Sequence, residues 1–227
     1  MYAINKIKYT VLFIVMASNN LILKLHTSRV NLLKQCESLG YDVSEHLDTS
    51  NLEVDKLYVN NKLDMIIENN EKKKIYIKYS YPTDKKNNSF TKKDLDNVKD
   101  ELYDVENTLT NDDTLIIVMD DEPNDSLVTR LKYIYEQDGV FIVIHNIKRL
   151  QYNVLEHTLV PQCRVLSNEE VDELKVKYNI KDLSQLPEVS RFDPQSLAIC
   201  LRPGQVCKYT RKSVASLEHE YYRVCVN

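Results

Sequence analysis

Two residues on neighbouring predicted strands have side chains suited to metal-dependent nuclease chemistry. Asp64 begins one apolar segment, and Lys78 lies near the end of the next, in Tyr76-Ile77-Lys78. Two carboxylates and a lysine can hold Mg²⁺ and orient a water molecule for attack on a phosphate. Tyr76 stands where the second carboxylate is needed, so a free-standing nuclease would depend on another acidic residue such as Glu68. Alternatively, Asp64 caps or faces solvent on an edge strand, and Lys78 extends from a β-strand toward solvent.

Other residue types that carry catalysis do not form a recognisable pattern. The five histidines are dispersed, and GxSxG, HExxH and Cys/His nucleophile patterns are missing from the sequence. Three glycines give no phosphate-cradling loop. The five cysteines form no CxxC pair and have no histidine at zinc-finger spacing, which predicts reduced, mostly buried thiols in a reducing compartment. We therefore expect no catalytic residue, no cofactor, no metal and no small-molecule substrate.

One loop concentrates negative charge. The segment Asp120-Asp121-Glu122-Pro123-Asn124-Asp125-Ser126 contains four carboxylates, enough by charge alone for a cation site. Its spacing is not that of an EF-hand. The same residues suit a solvated turn followed by a helix, whose N-terminal dipole favours acidic side chains. We therefore expect a turn and a helix N-terminus here.

The composition limits the classes of function. Charged residues make up 28% of the chain, hydrophobic residues 43%, and the net charge is −4. This is typical of a globular protein and argues against coating of nucleic acid by electrostatics alone. The apolar run over residues 11–17 imitates a signal peptide, but it is far shorter than the roughly 20 residues that span a bilayer. We expect a buried strand or short helix there and no membrane contact, with secretion as the alternative.

Residues 28–79 predict a helix followed by a hairpin. Ser28 suits the cap of a helix over residues 28–40, and Gly40 stands where it ends. Residues 63–67 and 75–79 have the pattern of two strands joined by a polar turn.

The next part of the chain predicts helices alternating with strands. A breaker-rich loop over residues 82–89 precedes an amphipathic helix that begins at Thr91. Apolar runs over residues 115–119 and 140–144 flank a further helix, which predicts a parallel βαβ unit covered on both faces. After residues 150–155 the pattern changes to short strands around one helix, so we expect a domain boundary there.

The last third of the chain contains an ordered set of motifs. In chain order they are His157-Thr158-Leu159-Val160-Pro161, the capping box Ser167-Asn168-Glu169-Glu170, Ser184-Gln185-Leu186-Pro187, Asp193-Pro194, Arg202-Pro203-Gly204-Gln205-Val206, Arg211-Lys212-Ser213 and Tyr222-Arg223-Val224. The set closely resembles the assembly domain of the fifth subunit shared by eukaryotic RNA polymerases I, II and III, and its archaeal homologue. Each motif alone has a structural explanation, whereas their order is specific.

The resemblance implies both a fold and a function. The fold is an α/β jaw domain with a degenerate nuclease-like arrangement over residues 1–150, followed by a small α+β assembly domain over residues 151–227. The function is that of a non-catalytic subunit of a multisubunit DNA-directed RNA polymerase. Such a subunit docks on the largest subunit, contacts other polymerase subunits and forms part of the jaw near downstream DNA.

The resemblance also implies which residues form these contacts. Those that form or support the docking surface are His157, Leu159, Val160, Pro161, Leu186, Pro187, Asp193, Pro194, Gly204, Arg211, Ser213, Tyr222 and Arg223. The implied DNA-proximal residues are Pro123, Asn124 and Ser126, with few or indirect contacts.

The upstream resemblance favours the eukaryotic branch or a eukaryote-like virus. The helix over residues 29–41, the strands at Asp64 and residues 114–119, and the proline-containing loop before a helix follow the eukaryotic jaw domain, which the archaeal homologue lacks. Alanine occurs only at positions 3, 17, 198 and 215, while Asn, Lys, Ile and Tyr are abundant, as expected from an A/T-rich genome. A large DNA virus or a parasite nucleus is such a source. The expected location is intracellular: the nucleus, or the virion and host-cell cytoplasm for a viral polymerase.

Overall fold

The computed structural model describes residues 2–80, 90–212 and 217–227, with side chains described from residue 20 onward. The loop predicted over residues 82–89 and Ser213, a predicted docking residue, lie outside these residues. Up to residue 150 the elements are α1 (Tyr2–Ser38), α2 (Asn51–Val59), β1 (Met65–Glu68), β2 (Lys74–Tyr79), α3 (Lys92–Lys99) with a π-helical turn (Asp100–Val105), β3 (Thr114–Met119), α4 (Asp125–Asp138) and β4 (Phe141–Asn146).

The later elements are shorter. They are β5 (Gln162–Val165), α5 (Asn168–Tyr178), β6 (Glu188–Ser190), α6 (Pro194–Ala198), β7 (Val206–Arg211) and β8 (His219–Val226). Single 3-10 turns occur at Arg149–Gln151, Val154–Glu156 and Leu183–Gln185.

The first sheet has the order β1-β2-β3-β4. The hairpin β1–β2 is antiparallel, whereas β2–β3 and β3–β4 are parallel. The predicted hairpin and βαβ unit are therefore confirmed. Strands β3 and β4 are buried at every position because α1 covers one face and α3 and α4 cover the other. This burial on both faces explains their almost continuous apolar sequence.

Helix α1 differs from its prediction. It extends from Tyr2 to Ser38, so Ser28 lies inside the helix and is not its N-cap. The Ser28 hydroxyl donates to the carbonyl oxygen of Leu25 at 2.8 Å, an interaction within one helical turn. The apolar run over residues 11–17 belongs to this same helix. Among the described residues, no helix combines the length and the apolar character needed to cross a membrane.

Helix α2 was not predicted, although its sequence contains a signal. Ser50 and Glu53 form a capping box, in which the serine side chain accepts the N–H of Glu53 and the glutamate accepts the N–H of Ser50. This Ser-x-x-Glu pattern is the usual sign of a helix N-terminus. The capping boxes predicted at Thr91 and Ser167 are both confirmed.

The second sheet has the order β5-β7-β8-β6. Strands β5–β7 and β7–β8 are antiparallel, and β6–β8 are parallel, which gives a mixed sheet. On one face, Leu174 of α5 packs against Val206 and Val224. On the other face, Leu201 packs with two sheet cysteines, and all five cysteines of the chain are free thiols. The C-terminal region is therefore a small mixed α/β unit.

Two arginines hold the second sheet against the first. Arg191 is buried and donates from Nη2 to the carbonyl oxygen of Ile142 at 2.8 Å. Arg202 donates from Nη1 to the carbonyl oxygen of Asn111 at 3.1 Å and from Nη2 to that of Asp113 at 2.8 Å. These bonds fix the orientation of the C-terminal elements on the preceding ones.

Candidate assembly surface

Asp64 serves as a structural cap at the edge of the first sheet. Its Oδ1 accepts the main-chain N–H of Tyr79 at 2.9 Å, and its Oδ2 accepts the Tyr76 hydroxyl at 3.3 Å. Burial is the larger cause, and the nearby Asp64 carboxylate the second cause, that raises the pKa of Tyr76 to about 12. The tyrosine is therefore a neutral donor at physiological pH. The capping interpretation of Asp64 is confirmed.

The surroundings of Asp64 do not favour nuclease chemistry. Glu68, the expected second carboxylate, lies at the other end of β1 and pairs with Lys74 at 3.7 Å. Four residue steps along a strand separate Asp64 from Glu68 by about 13 Å. Ligands of one Mg²⁺ ion lie at about 2.1 Å from it, so these two carboxylates are too far apart to share a metal. Lys78 lies 3.9 Å from Asp64 and 3.6 Å from Glu101, so it neutralises carboxylates. Within the described residues, no group of three or more His, Cys, Asp or Glu is arranged to hold a metal.

The acidic loop forms the turn and helix N-terminus that were predicted. Asn124 is the N-cap of α4, and its Oδ1 accepts the N–H of Leu127 at 2.9 Å. The same oxygen accepts the hydroxyl of Ser126 at 2.9 Å. Glu122 pairs with Arg149 at 2.9 Å. The hydroxyl of Ser126, one of the residues predicted to lie near DNA, therefore donates its proton within the loop.

The first group of predicted docking residues forms a tight turn before β5. The carbonyl oxygen of His157 accepts the N–H of Val160 at 3.0 Å, and its Nδ1 accepts the N–H of Leu159 at 3.2 Å. Leu159 is 85% exposed, as are other single apolar side chains such as Val176 at 84%.

Helix α6 holds this turn in place. Asp193 is its N-cap and accepts the N–H of Gln195 at 3.0 Å, and Pro194 occupies the first helical position. The buried Gln195 side chain donates from Nε2 to the carbonyl oxygen of Pro161 at 2.7 Å. Gln195 was missed in the sequence analysis. Its position after Asp193-Pro194 indicates only a helix, and its burial depends on tertiary packing that the local sequence does not show.

The second group of predicted docking residues lies on the opposite side of the sheet, either just before the edge strand β6 or on its neighbour β8. The carbonyl oxygen of Pro187 accepts the N–H of Val224 at 3.0 Å, and Leu186 packs in the cluster beneath α5. Arg223 donates from Nη1 to the carbonyl oxygen of Glu188 at 2.8 Å. The Tyr222 ring lies 6.0 Å from that of Tyr178.

Two further predicted residues lie apart from these groups. Gly204 has a φ of +87°, which favours glycine, and its N–H donates to the carbonyl oxygen of Cys225 at 2.9 Å. Gly204 therefore forms part of the turn before β7. Arg211 is exposed at the end of β7. The predicted docking residues are thus spread across the second sheet, from the turn before the edge strand β5, through the central strands β7 and β8, to the segment before the edge strand β6.

Comparison with known proteins identifies the C-terminal region. Residues 152–225 match the family model described as RNA polymerase Rpb5, C-terminal domain. DNA-directed RNA polymerase subunit Rpo5 of Thermococcus kodakarensis is 42% identical over 76 residues, which are 34% of this chain and 92% of that relative. The subunit of the same name from Methanococcus maripaludis is 41% identical over 73 residues, 32% of this chain and 92% of that relative.

A eukaryotic relative matches in the same region. DNA-directed RNA polymerases I, II, and III subunit RPABC1 of Caenorhabditis elegans is 42% identical over 77 residues, 34% of this chain and 36% of that relative. The archaeal relatives are matched along nearly their whole length. The resemblance inferred from the motifs is therefore confirmed, and the chain belongs to the Rpb5 family of RNA polymerase subunits.

Proposed function

We propose that this chain works as a non-catalytic subunit of a multisubunit DNA-directed RNA polymerase and that its C-terminal region is the part that docks. One observation supports this most strongly. The matched region makes up 92% of archaeal proteins that are named polymerase subunits. A polypeptide hardly longer than that region is therefore a subunit in those organisms. The proposed partners are other polymerase subunits, above all the largest one.

The proposed division of labour places the boundary near residue 150. Residues 1–150 form an α/β jaw domain, and residues 151–227 form an α+β assembly domain. The family match begins at residue 152, and each part has its own four-stranded sheet, which supports this division.

The proposed role of the upstream part is to form one side of the cleft near downstream DNA. The match covers similar shares of this chain and of the nematode protein, 34% and 36%, so both have a large additional region. The proposed DNA-proximal residues Pro123, Asn124 and Ser126 lie at the N-terminus of α4, where main-chain N–H groups favour phosphate. Their acidic neighbours limit such contacts to a few.

We further propose that the jaw domain has a nuclease-like arrangement without nuclease chemistry. Its antiparallel hairpin joined to parallel strands places Asp64 and Lys78 together, as in the sequence-based hypothesis. Tyr76 supplies a hydroxyl where a second carboxylate would be needed. The proposed location is intracellular, in the nucleus, or in the virion and host-cell cytoplasm for a viral polymerase.

Co-expression with the largest polymerase subunit from the same genome tests the docking assignment. We expect the full chain to co-purify with that subunit. A chain that lacks residues 151–227 is expected not to co-purify. Residues 151–227 would not be the docking region if the shortened chain still co-purified in equal amount.

A further inference from the structure

Strand β5 has one free edge. It is the first strand of the second sheet, and among the residues that the structure describes it pairs with β7 alone. The N–H of Leu166 donates to the carbonyl oxygen of Val206 at 2.9 Å. Hydrogen-bonded positions alternate along an antiparallel pair, so the main-chain groups of Arg164 also face β7, while those of Cys163 and Val165 face outward. By this alternation, the main-chain groups of Cys163 and Val165 have no strand beside them among the described residues.

A groove of about 670 Å³, lined by both apolar and polar side chains, runs beside this edge. Its walls include Leu39 at the end of α1, Leu155 and Ile199, and β5 contributes the side chains of Cys163 and Val165. The turn that contains the predicted docking residues leads directly into it, because Pro161 is also part of the lining. The groove thus combines unpaired main-chain groups with apolar side chains.

The groove carries little net charge. No carboxylate belongs to its lining, and its two cationic residues are Arg164 and Lys208. Arg164 makes two bonds to Glu170, at 2.8 and 2.6 Å, which lower the pKa of that glutamate to about 2. Lys208 is paired with Glu220. Because both cations already have carboxylate partners, the groove suits an uncharged segment.

We propose that this groove, hereafter the β5 groove, receives an extended segment of the largest polymerase subunit, which adds as a further strand beside β5. The inference rests on the proposed function. Strand addition satisfies main-chain groups at an open sheet edge and takes side-chain specificity from neighbouring pockets. The occupant is a polymerase subunit because β5 lies in the region that makes up nearly all of the archaeal relatives.

The register of β5 defines the sequence pattern of the occupant. Residues directly opposite each other in a sheet point to the same face. Residues opposite Cys163 and Val165 therefore point toward Leu39, Leu155 and Ile199, and we infer that they are apolar. Residues opposite Gln162 and Arg164 point to the other face and are polar. The bound segment consequently alternates apolar and polar residues without a charge on the groove side.

Amide hydrogen exchange on the full chain, free and bound to the largest subunit, tests this proposal. In the free chain we expect slow exchange at Arg164 and Leu166 and fast exchange at Cys163 and Val165. In the complex, exchange at Cys163 and Val165 is expected to slow by roughly 100-fold, because opening would then require release of the added strand. A complex in which these two amides exchange as fast as before overturns the groove proposal and leaves docking intact. Failure to form any complex overturns docking as well.

A charge placed in the groove provides a second test. Leu155→Asp is expected to weaken binding of the largest subunit by at least about tenfold, because the new carboxylate loses hydration when the segment binds. Tyr152→Asp is the matched control, since Tyr152 is 54% exposed and lies outside the groove lining. Equal binding by both variants, with both folded, contradicts the proposed occupancy.

Discussion

The guanidinium carbon of Arg191 lies 4.9 Å from the centre of the Phe141 ring. Phe141 begins β4 in the first sheet, whereas Arg191 directly follows β6 in the second. Arg202 lies over the same ring at 5.0 Å. Two arginines from the C-terminal region thus contact one buried aromatic residue of the preceding region, and a stacked guanidinium also retains its donors for main-chain oxygens. These contacts join the two regions at one buried ring.

Removal of the Arg191 guanidinium should destabilise the whole chain. Burial lowers the pKa of Arg191 to about 10, so the group is still charged at neutral pH. Arg191→Met keeps the volume but loses the bond to Ile142 and the ring contacts, so we expect a loss of about 2–3 kcal/mol in the free energy of unfolding. Urea unfolding measures this loss of unfolding free energy. The exposed Arg211→Met is the control, with a change within about 0.5 kcal/mol; equal losses would disprove the role of Arg191.

Arg202 should not be replaceable by lysine. Its guanidinium reaches the carbonyl oxygens of Asn111, Asp112 and Asp113 together, at 3.1, 2.6 and 2.8 Å. A lysine ammonium lacks the planar fork that makes such parallel contacts. We expect Arg202→Lys to lose about 1–2 kcal/mol of unfolding free energy, measured by thermal unfolding at fixed pH. A melting temperature equal to that of the parent chain would contradict this role.

His145 should make the fold sensitive to acid. It is fully buried, its Nε2 lacks a partner within the described residues, and burial followed by Arg149 lowers its pKa to about 4. An unfolded histidine has a pKa of about 6.5. As the pH falls from about 6.5 to about 4, the unfolded state binds a proton that the folded state does not. The unfolding free energy should therefore decrease, by about 3 kcal/mol in total.

Substitution of the histidine separates this effect from general acid unfolding. His145→Asn should flatten the stability profile between pH 6.5 and pH 4. The assignment fails if the slope of the His145→Asn variant is the same as that of the parent chain.

Asp64→Ala tests whether the nuclease-like residues are structural. Loss of the carboxylate leaves the Tyr79 N–H and the Tyr76 hydroxyl without their acceptor, which should cost about 1–3 kcal/mol of unfolding free energy. Urea unfolding measures this cost, and incubation of the pure parent chain with DNA and Mg²⁺ provides the second measurement. Cleavage by the parent chain that disappears in Asp64→Ala would show that the residue is catalytic.

The sequence predicted those elements whose signals are local. The capping boxes at Thr91 and Ser167 and the doubly buried strands β3 and β4 have patterns that depend on neighbouring residues alone. The predicted start of α1 at Ser28 was wrong, because a serine is suited both to a helix N-cap and to a hydrogen bond within a helix. Helix α2 was missed although its capping box is present in the sequence.

The site was less predictable than the fold. The motif order identified the family, but it could not show that Leu186 and Pro187 lie at the opposite sheet edge from Leu159, because strand order depends on long-range pairing. Likewise, the β5 groove includes Leu39 of α1, which is distant in sequence from β5. Arg191 has no motif of its own, and its contacts with Phe141 and Ile142 come from tertiary packing.

Competition for the largest polymerase subunit tests the central claim most directly. The full chain, labelled, is first bound to that subunit, and unlabelled polypeptides of residues 151–227 and residues 1–150 are then added separately. We expect residues 151–227 to displace the labelled chain and residues 1–150 to leave it bound. Displacement by residues 1–150, with residues 151–227 folded but without effect, would contradict assembly through the C-terminal domain.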